Sequence, residues 1–479
     1  MMRLMWIAVI CLATGCRAID SLPEGQPPGA EFTHVDTNPS FPTGIGNAGA
    51  GRALPYGVQA ASYAQEPQRE AGPIELPVPP EEIRQPLALD RLEQLALMHN
   101  PSLAEARAHV SATHGEWIQV GLPPNTELGY SGQQLFSGGI AEQRGVYVQQ
   151  TVVMGHKLRL NRAVAAQEIQ RAESLYAAQQ QRVLTDVRLA YYEVLVAQRR
   201  SKIAQELDQI AVKALETTES LLQADEVSRV DVMRSQIERQ NADLLLQQAN
   251  TLLQAGWSQL VAVVGVPDIS SWGDLEGSVD PVLDEIRAPD VLARVVNESP
   301  EMAAALSNVE RTRWAVQRAF AEPVPDVDLQ AVVQDDRATG STNANFQVSI
   351  PIPWLDRNQG GIQQARAELA EAERAVERLR LSFEKRLAPL FQRYAFARSQ
   401  VDAYAQEDGI LAKSATTLQL VGQGYAGGEL SYLDLVTAQR TNARTNLAYA
   451  DALNQYWSAL IEMEGLLLKG SLNTEIHDE

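Results

Sequence analysis

Between residues 157 and 223 the chain has neither proline nor glycine, and apolar or small residues return every three or four positions. Ile169, Ala172, Tyr176, Val183, Val187, Ala190, Val194 and Ala197 form the first part of this stripe, and Leu207, Ile210, Ala214, Thr217 and Leu221 continue it. The period predicts one coiled-coil-like helix. At about 1.5 Å per residue it is on the order of 100 Å long, too long for a compact globular domain to enclose. A turn at 224–227 leads into a second helix from Ser228 to about Val264. Similar periods predict helices over 87–120, broken at Pro101, and over 289–321. Another runs over 359–421, bent locally at Pro389 and Gly409. A glycine-rich turn at 422–428 precedes a last helix over 431–468.

Strand patterns lie between the helices, over 127–135, 145–153, 326–334 and 345–352. In the last, Phe346, Val348, Ile350 and Ile352 share one face, with Gln347 and Ser349 on the other. Such a two-faced strand suits a wall between lipid and water, with Phe346, Val348 and Ile350 toward lipid. A soluble sheet core is the alternative.

The order of elements occurs twice. Asn100-Pro101-Ser102-Leu103 is echoed by Ser299-Pro300-Glu301-Met302, and Ser228-Arg229-Val230-Asp231 by Ser431-Tyr432-Leu433-Asp434. Gln236 and Gln439 keep the same register. The chain therefore divides into repeats at 86–275 and 285–468, one architecture built in tandem. A Pro/Gly-rich tether at 16–85 precedes them, and a loose polar tail at 469–479 follows. Four membrane-length strands cannot close a barrel, and an open edge in lipid leaves peptide groups unpaired. Transmembrane strands would require two or three copies of the chain. A small solvated sheet capping a coiled coil would not.

The net charge of −20 argues against a nucleic-acid partner. Residues 1–15 form a short basic and then apolar signal peptide, ending Leu12-Ala13-Thr14-Gly15-Cys16. The ending resembles a bacterial lipoprotein box, which implies acylation of Cys16. Arg17 follows, and with no aspartate there the resemblance points to the outer membrane. Cys11 and Cys16 are the chain's two cysteines, so the mature chain forms no internal disulfide. No later apolar run is long enough for a spanning helix, which leaves strands as the means of crossing a membrane.

No catalytic constellation stands out, and no cofactor is expected. The six histidines are scattered. His109 and His114 are five apart, which does not place two imidazoles on one helix face. No cysteine pair or methionine cluster offers a soft-metal site. The sharpest candidates are Asp231 and Asp434, each just past a hairpin turn and each three residues after a serine. That spacing fits a capping box. The hairpin tips, Asp225, Glu226, Ser228, Gly427, Gly428 and Ser431, are exposed by position and form the candidate contacts for a partner.

Three further stretches carry a family likeness: Val187-Arg188-Leu189-Ala190-Tyr191-Tyr192-Glu193, Ile350-Pro351-Ile352-Pro353-Trp354-Leu355-Asp356-Arg357-Asn358-Gln359-Gly360, and Gly424 through Gln439. With the repeated Asn/Ser-Pro motif they resemble the TolC-like outer-membrane efflux proteins over about residues 87–468. The second stretch is similar to the cobalt-zinc-cadmium or copper export branch. The resemblance implies a mainly α fold with a small β part. It also implies a homotrimer whose four strands per chain close one twelve-stranded barrel, continued by a periplasmic helical barrel. The implied partners are a periplasmic adaptor, an inner-membrane pump of the resistance-nodulation-division class, and outer-membrane lipid. It further implies that Asp231 and Asp434 lie near a periplasmic constriction. At Thr437 this chain departs from relatives that carry a second gating aspartate. The expectation is a passive duct exporting small solutes, heavy-metal cations or drugs, rather than an enzyme. A lipid-anchored periplasmic coiled-coil scaffold without a pore is the rival.

Overall fold

The computed structural model describes residues 87–135, 142–267, 275–281, 283, 285–427 and 429–473. The signal segment, Cys16 and the tether lie outside them.

The chain enters through two short helices, α1 (Leu89–His99) and α2 (Pro101–Gln119). Asn100 separates them in an extended conformation, because Pro101 has no N–H to continue α1 and restricts the residue before it. Asn100 caps α2 by accepting from Ser102 N at 3.0 Å. Its amide donates to Val263 O at 2.7 Å, satisfying the end of a helix far along the chain. Ser299-Pro300 makes the same break between α5 (Ala288–Glu298) and α6 (Pro300–Ala321), without a side-chain cap, so the single helix expected over 289–321 is divided in two.

Helix α3 (Lys157–Gln223) is continuous over 67 residues, as its uninterrupted period predicts. It reverses into α4 (Arg229–Val264). In the second repeat the first arm is divided into α7 (Gln359–Ala405) and α8 (Ile410–Ala426), which reverse into α9 (Tyr432–Glu464). A single bent helix over 359–421 is therefore not formed. Pro389 stays inside α7, on its exposed side, where solvent can satisfy the freed carbonyl. The interruption falls at 406–409 instead. Gly409 begins α8 where a Cβ would meet the carbonyl oxygens of Gln406 and Tyr404 at 2.8 Å. The turn expected at 422–428 is also shorter, since α8 carries Gly422 and Gly424 and ends at Ala426.

The repeats match at the level of buried positions. Ala165, Ala172, Val183, Val187, Ala190, Val194 and Ala197 of α3 correspond to Ala365, Ala372, Phe383, Leu387, Leu390, Tyr394 and Ala397 of α7. Alanines stand at both ends of this run in each repeat, with mostly larger residues between them. There an aromatic cluster ties the repeats together. Trp457 stacks on Tyr192 with ring centroids 4.0 Å apart, and Tyr394 lies 5.5 Å from Tyr456.

Strands β1 (Glu127–Gln133), β2 (Gln143–Val152), β3 (Val327–Asp336) and β4 (Ser341–Ser349) form one antiparallel sheet in chain order. β4 stops before the predicted end, because Pro351 has no N–H for a ladder. Ile350 and Ile352 therefore lie just outside it. At the junction of sheet and helices, Lys157 is nearly buried and pairs with Asp326 at 3.0 Å. Among the described residues no helix is long and apolar enough to cross a membrane.

Candidate functional site

Two parts of the molecule bear on function, the hairpin ends and the sheet. At the first hairpin Asp225 adopts a left-handed conformation, φ 57°, which glycine usually fills and aspartate tolerates. Its N–H donates to Leu222 O at 3.1 Å, and that of Glu226 to Leu221 O at 2.9 Å, satisfying the last carbonyls of α3. In the second hairpin Glu429 N–H closes the same span onto Gly424 O at 2.8 Å. Gly427 donates to Gln423 O at 3.0 Å. Gly428 lies outside the described residues.

Ser228 and Ser431 then start α4 and α9 through matching capping boxes. Asp231 accepts from Ser228 Oγ at 2.6 Å and Ser228 N at 3.1 Å. Asp434 accepts from Ser431 Oγ at 2.6 Å and Ser431 N at 3.0 Å. The serine hydroxyl bonds, and then the backbone bonds, hold both carboxyls below the usual carboxylate value. Both aspartates therefore stay charged at the tips. Thr437 instead turns its hydroxyl back to Leu433 O at 2.7 Å.

Two residues that sequence patterns did not single out join the two hairpins near these ends. Arg440 of α9 donates through Nε to Glu238 of α4 at 2.9 Å, and a second guanidinium nitrogen grips the same carboxylate. Tyr425 lies 6.2 Å from Tyr432, ring to ring. Burial pushes its phenol above the ordinary value, and the fields of Tyr432 and Asp231 add to the shift. Asp231 of the first hairpin thus acts on Tyr425 of the second. The signal for these contacts is absent from the repeat, because Glu238 and Arg440 do not occupy equivalent positions.

The sheet sorts its side chains by register. Leu128, Val148, Ala331 and Phe346 stand abreast, and Tyr130, Val146, Val333 and Ala344 form the next row. This apolar face is open: Phe346 is 70% exposed and Val348 and Ile350 are each 51% exposed. On the opposite face Glu127, Gln149, Gln330 and Gln347 stand abreast, as do Ser131, Gly145, Gln334 and Asn343. Gln330 bonds to Gln149 at 3.3 Å, Gln334 to Gln143 at 3.1 Å, and Thr151 to Asp328 at 2.5 Å. One wall is apolar and the other is rich in carboxamides. Among the described residues no group of three or more His, Cys, Asp or Glu is placed to hold a metal.

A two-faced sheet borne on tandem helical hairpins of this length is a TolC-like fold. Residues 291–467 match the family model "Outer membrane efflux protein". Over 421 residues it is 26% identical to the cobalt-zinc-cadmium resistance protein CzcC of Cupriavidus metallidurans, covering 86% of this chain and 98% of the relative. Its fold is similar to that of a membrane protein from Pseudomonas aeruginosa, with TM-score 0.68, 19% identity, and coverage of 79% and 93%. It is also similar to CusC, whose structures concern transmembrane channel formation, with TM-score 0.65, 17% identity, and coverage of 80% and 92%.

Proposed function

We propose that three copies of this chain form the outer-membrane duct of a tripartite exporter, and that heavy-metal cations are its cargo. The observation that carries this reading is the sheet. One face suits lipid, the other suits water, and β1 and β4 each offer a free edge to another copy. In this arrangement Phe346, Val348 and Ile350 face lipid. Each chain contributes four strands, and three chains give a twelve-stranded barrel.

The helices support the same closure. α9 packs on two long helices, α7 of its own repeat and α3 of the preceding one, whereas among the long helices α4 packs extensively on α3 alone. Its other side exposes Val230, Met233, Ile237, Leu244 and Leu252 in one stripe. A neighbouring α7 would occupy this stripe as α3 occupies the corresponding side of α9.

The duct does no chemistry. Carboxamides on the inner wall offer weak hydrogen bonds that a solute exchanges readily, and weak sites permit flow. Six tip carboxylates, Asp231 and Asp434 from each copy, would favour cations at the periplasmic opening. The name of the CzcC relative supports a divalent-metal cargo. The hairpin tips around Asp225, Glu226, Ser228, Gly427, Gly428 and Ser431 would dock a periplasmic adaptor, and a resistance-nodulation-division pump would supply the energy. Acylation of Cys16 would add an anchor in the outer membrane.

The test is native mass in detergent together with conductance in planar bilayers. A trimer that conducts cations is expected. A protein that associates with membranes yet never conducts would instead be a lipid-anchored scaffold.

A further inference from the structure

The strand-to-helix connections of the two repeats are unequal. Four residues, 153–156, join β2 to α3, whereas nine residues, 350–358, join β4 to α7. The short connection turns inward onto the second repeat. Met154 N–H donates to Asp326 at 2.9 Å, and Lys157 pairs with the same carboxylate. The long connection turns its apolar side chains out. Ile350 and Ile352 are exposed, Trp354 is 73% exposed and Leu355 91%, the highest value among the large apolar residues described. The backbone that displays them is braced. Pro351 and Pro353 fix two backbone angles. Trp354 N–H donates to Ile352 O at 3.0 Å, and Gln359 Nε2 to Leu355 O at 3.0 Å. Asn358 N–H donates to Asp356 at 2.8 Å, and Asn358 Nδ2 ties the segment to α6 through Ala319 O at 2.9 Å.

Ile350 and Ile352 follow Phe346 and Val348 at alternate positions, so the exposed apolar row of β4 continues past the end of the sheet. Arg357 is exposed next to Asp356, and the two charges balance. Apolar groups, a tryptophan and a balanced charged pair in one short stretch match the boundary of a zwitterionic bilayer. The isoleucines and leucine suit the acyl region, and the indole suits the headgroup level with its N–H toward water. The arginine stem is long enough to place its guanidinium among phosphates, while Asp356 suits the ammonium groups.

We infer that the connection from Ile350 to Arg357 is a foot set in the periplasmic leaflet of the outer membrane, with zwitterionic phospholipid as its partner. The first repeat turns its own connection inward, so each copy has one foot. Three copies stand on three feet that alternate with three inward-turned junctions, rather than on a continuous belt. The feet fix the depth at which the sheet gives way to the helices. This assignment rests on the lipid-facing sheet proposed above.

The experiment uses the full chain in vesicles of phosphatidylethanolamine and phosphatidylglycerol, with p-benzoylphenylalanine substituted in turn at Leu355, Phe346 and the exposed His156 of the short connection. Irradiation and peptide masses read what each position touches. Phospholipid adducts are expected at Phe346 and Leu355, with several-fold less at His156. Trp354→Asp should lower the Leu355 adduct several-fold and leave that at Phe346 unchanged, because a carboxylate is expelled from the acyl region. A Phe346 adduct without one at Leu355, a Leu355 cross-link to another copy, or a Leu355 adduct indifferent to Trp354→Asp overturns the foot alone. Equal adducts at His156 and Leu355 make the contact a belt common to both repeats and overturn it as well. Absence of lipid at Phe346 overturns the lipid-facing sheet, and the foot with it.

Discussion

Arg440 of α9 holds Glu238 of α4 through two guanidinium nitrogens, joining the first hairpin to the second near their turns. The pair is half exposed on the arginine side, so its contribution to stability is no more than about 1 kcal/mol. It links two long elements close to their turns. Glu238→Gln should leave the melting temperature nearly unchanged and raise single-channel conductance. Equal conductance in the variant would mean that other contacts fix the spacing of the hairpins.

Asp231→Asn combined with Asp434→Asn removes the tip charges and keeps side chains able to accept the capping bonds. Cation selectivity and block by divalent ions should both fall, with folding largely retained. If the carboxylates act only as caps, the same protein will lose some stability and conduct as before. Reversal potentials and a melting curve on one sample separate the two cases.

The same caps set a pH dependence. Each carboxyl is held below its ordinary value by its serine. The stabilisation is therefore complete above the unfolded value, about 3.9, and is lost as pH falls through the lower folded value. A spin label at Val227 should stay immobilised from neutral pH down to that window and loosen below it. Ser228→Ala should remove the transition. A transition near neutral pH would have to come from another group.

The junction of sheet and helices depends on a nearly buried lysine. Lys157 is 7% exposed at its side chain and has Asp326 at 3.0 Å, and the same carboxylate accepts from Met154 N at 2.9 Å. Asp326→Ala would leave the ammonium without its carboxylate, destabilising the fold by about 3 kcal/mol. Asp326→Asn, which keeps an acceptor, should lose less. Denaturant unfolding of the three proteins gives the order directly.

Intact mass of the mature N-terminus tests the anchor. An acylated Cys16 at the first position is expected. An N-terminus beyond residue 16 would show ordinary signal cleavage, and the duct would then be held by its strands alone.

Local sequence determined the parts of this protein whose causes are local. The unbroken period of α3, the breaks at Asn100-Pro101 and Ser299-Pro300, and both serine–aspartate caps depend on residues within a few positions of one another. Sequence also showed that the architecture is doubled, because the same local solutions recur. Tertiary structure decided the rest. Whether Pro389 or Gly409 would interrupt the seventh helix depended on which had solvent beside it and at which a Cβ would collide with carbonyl oxygens. The neighbours of Phe346 and Val348 across the sheet came from a register that spans both repeats. Arg440 and Glu238 meet although neither has a repeated counterpart, and no period announces the pair. Such contacts join positions hundreds of residues apart, and their energy appears only when the packed helices bring the side chains together.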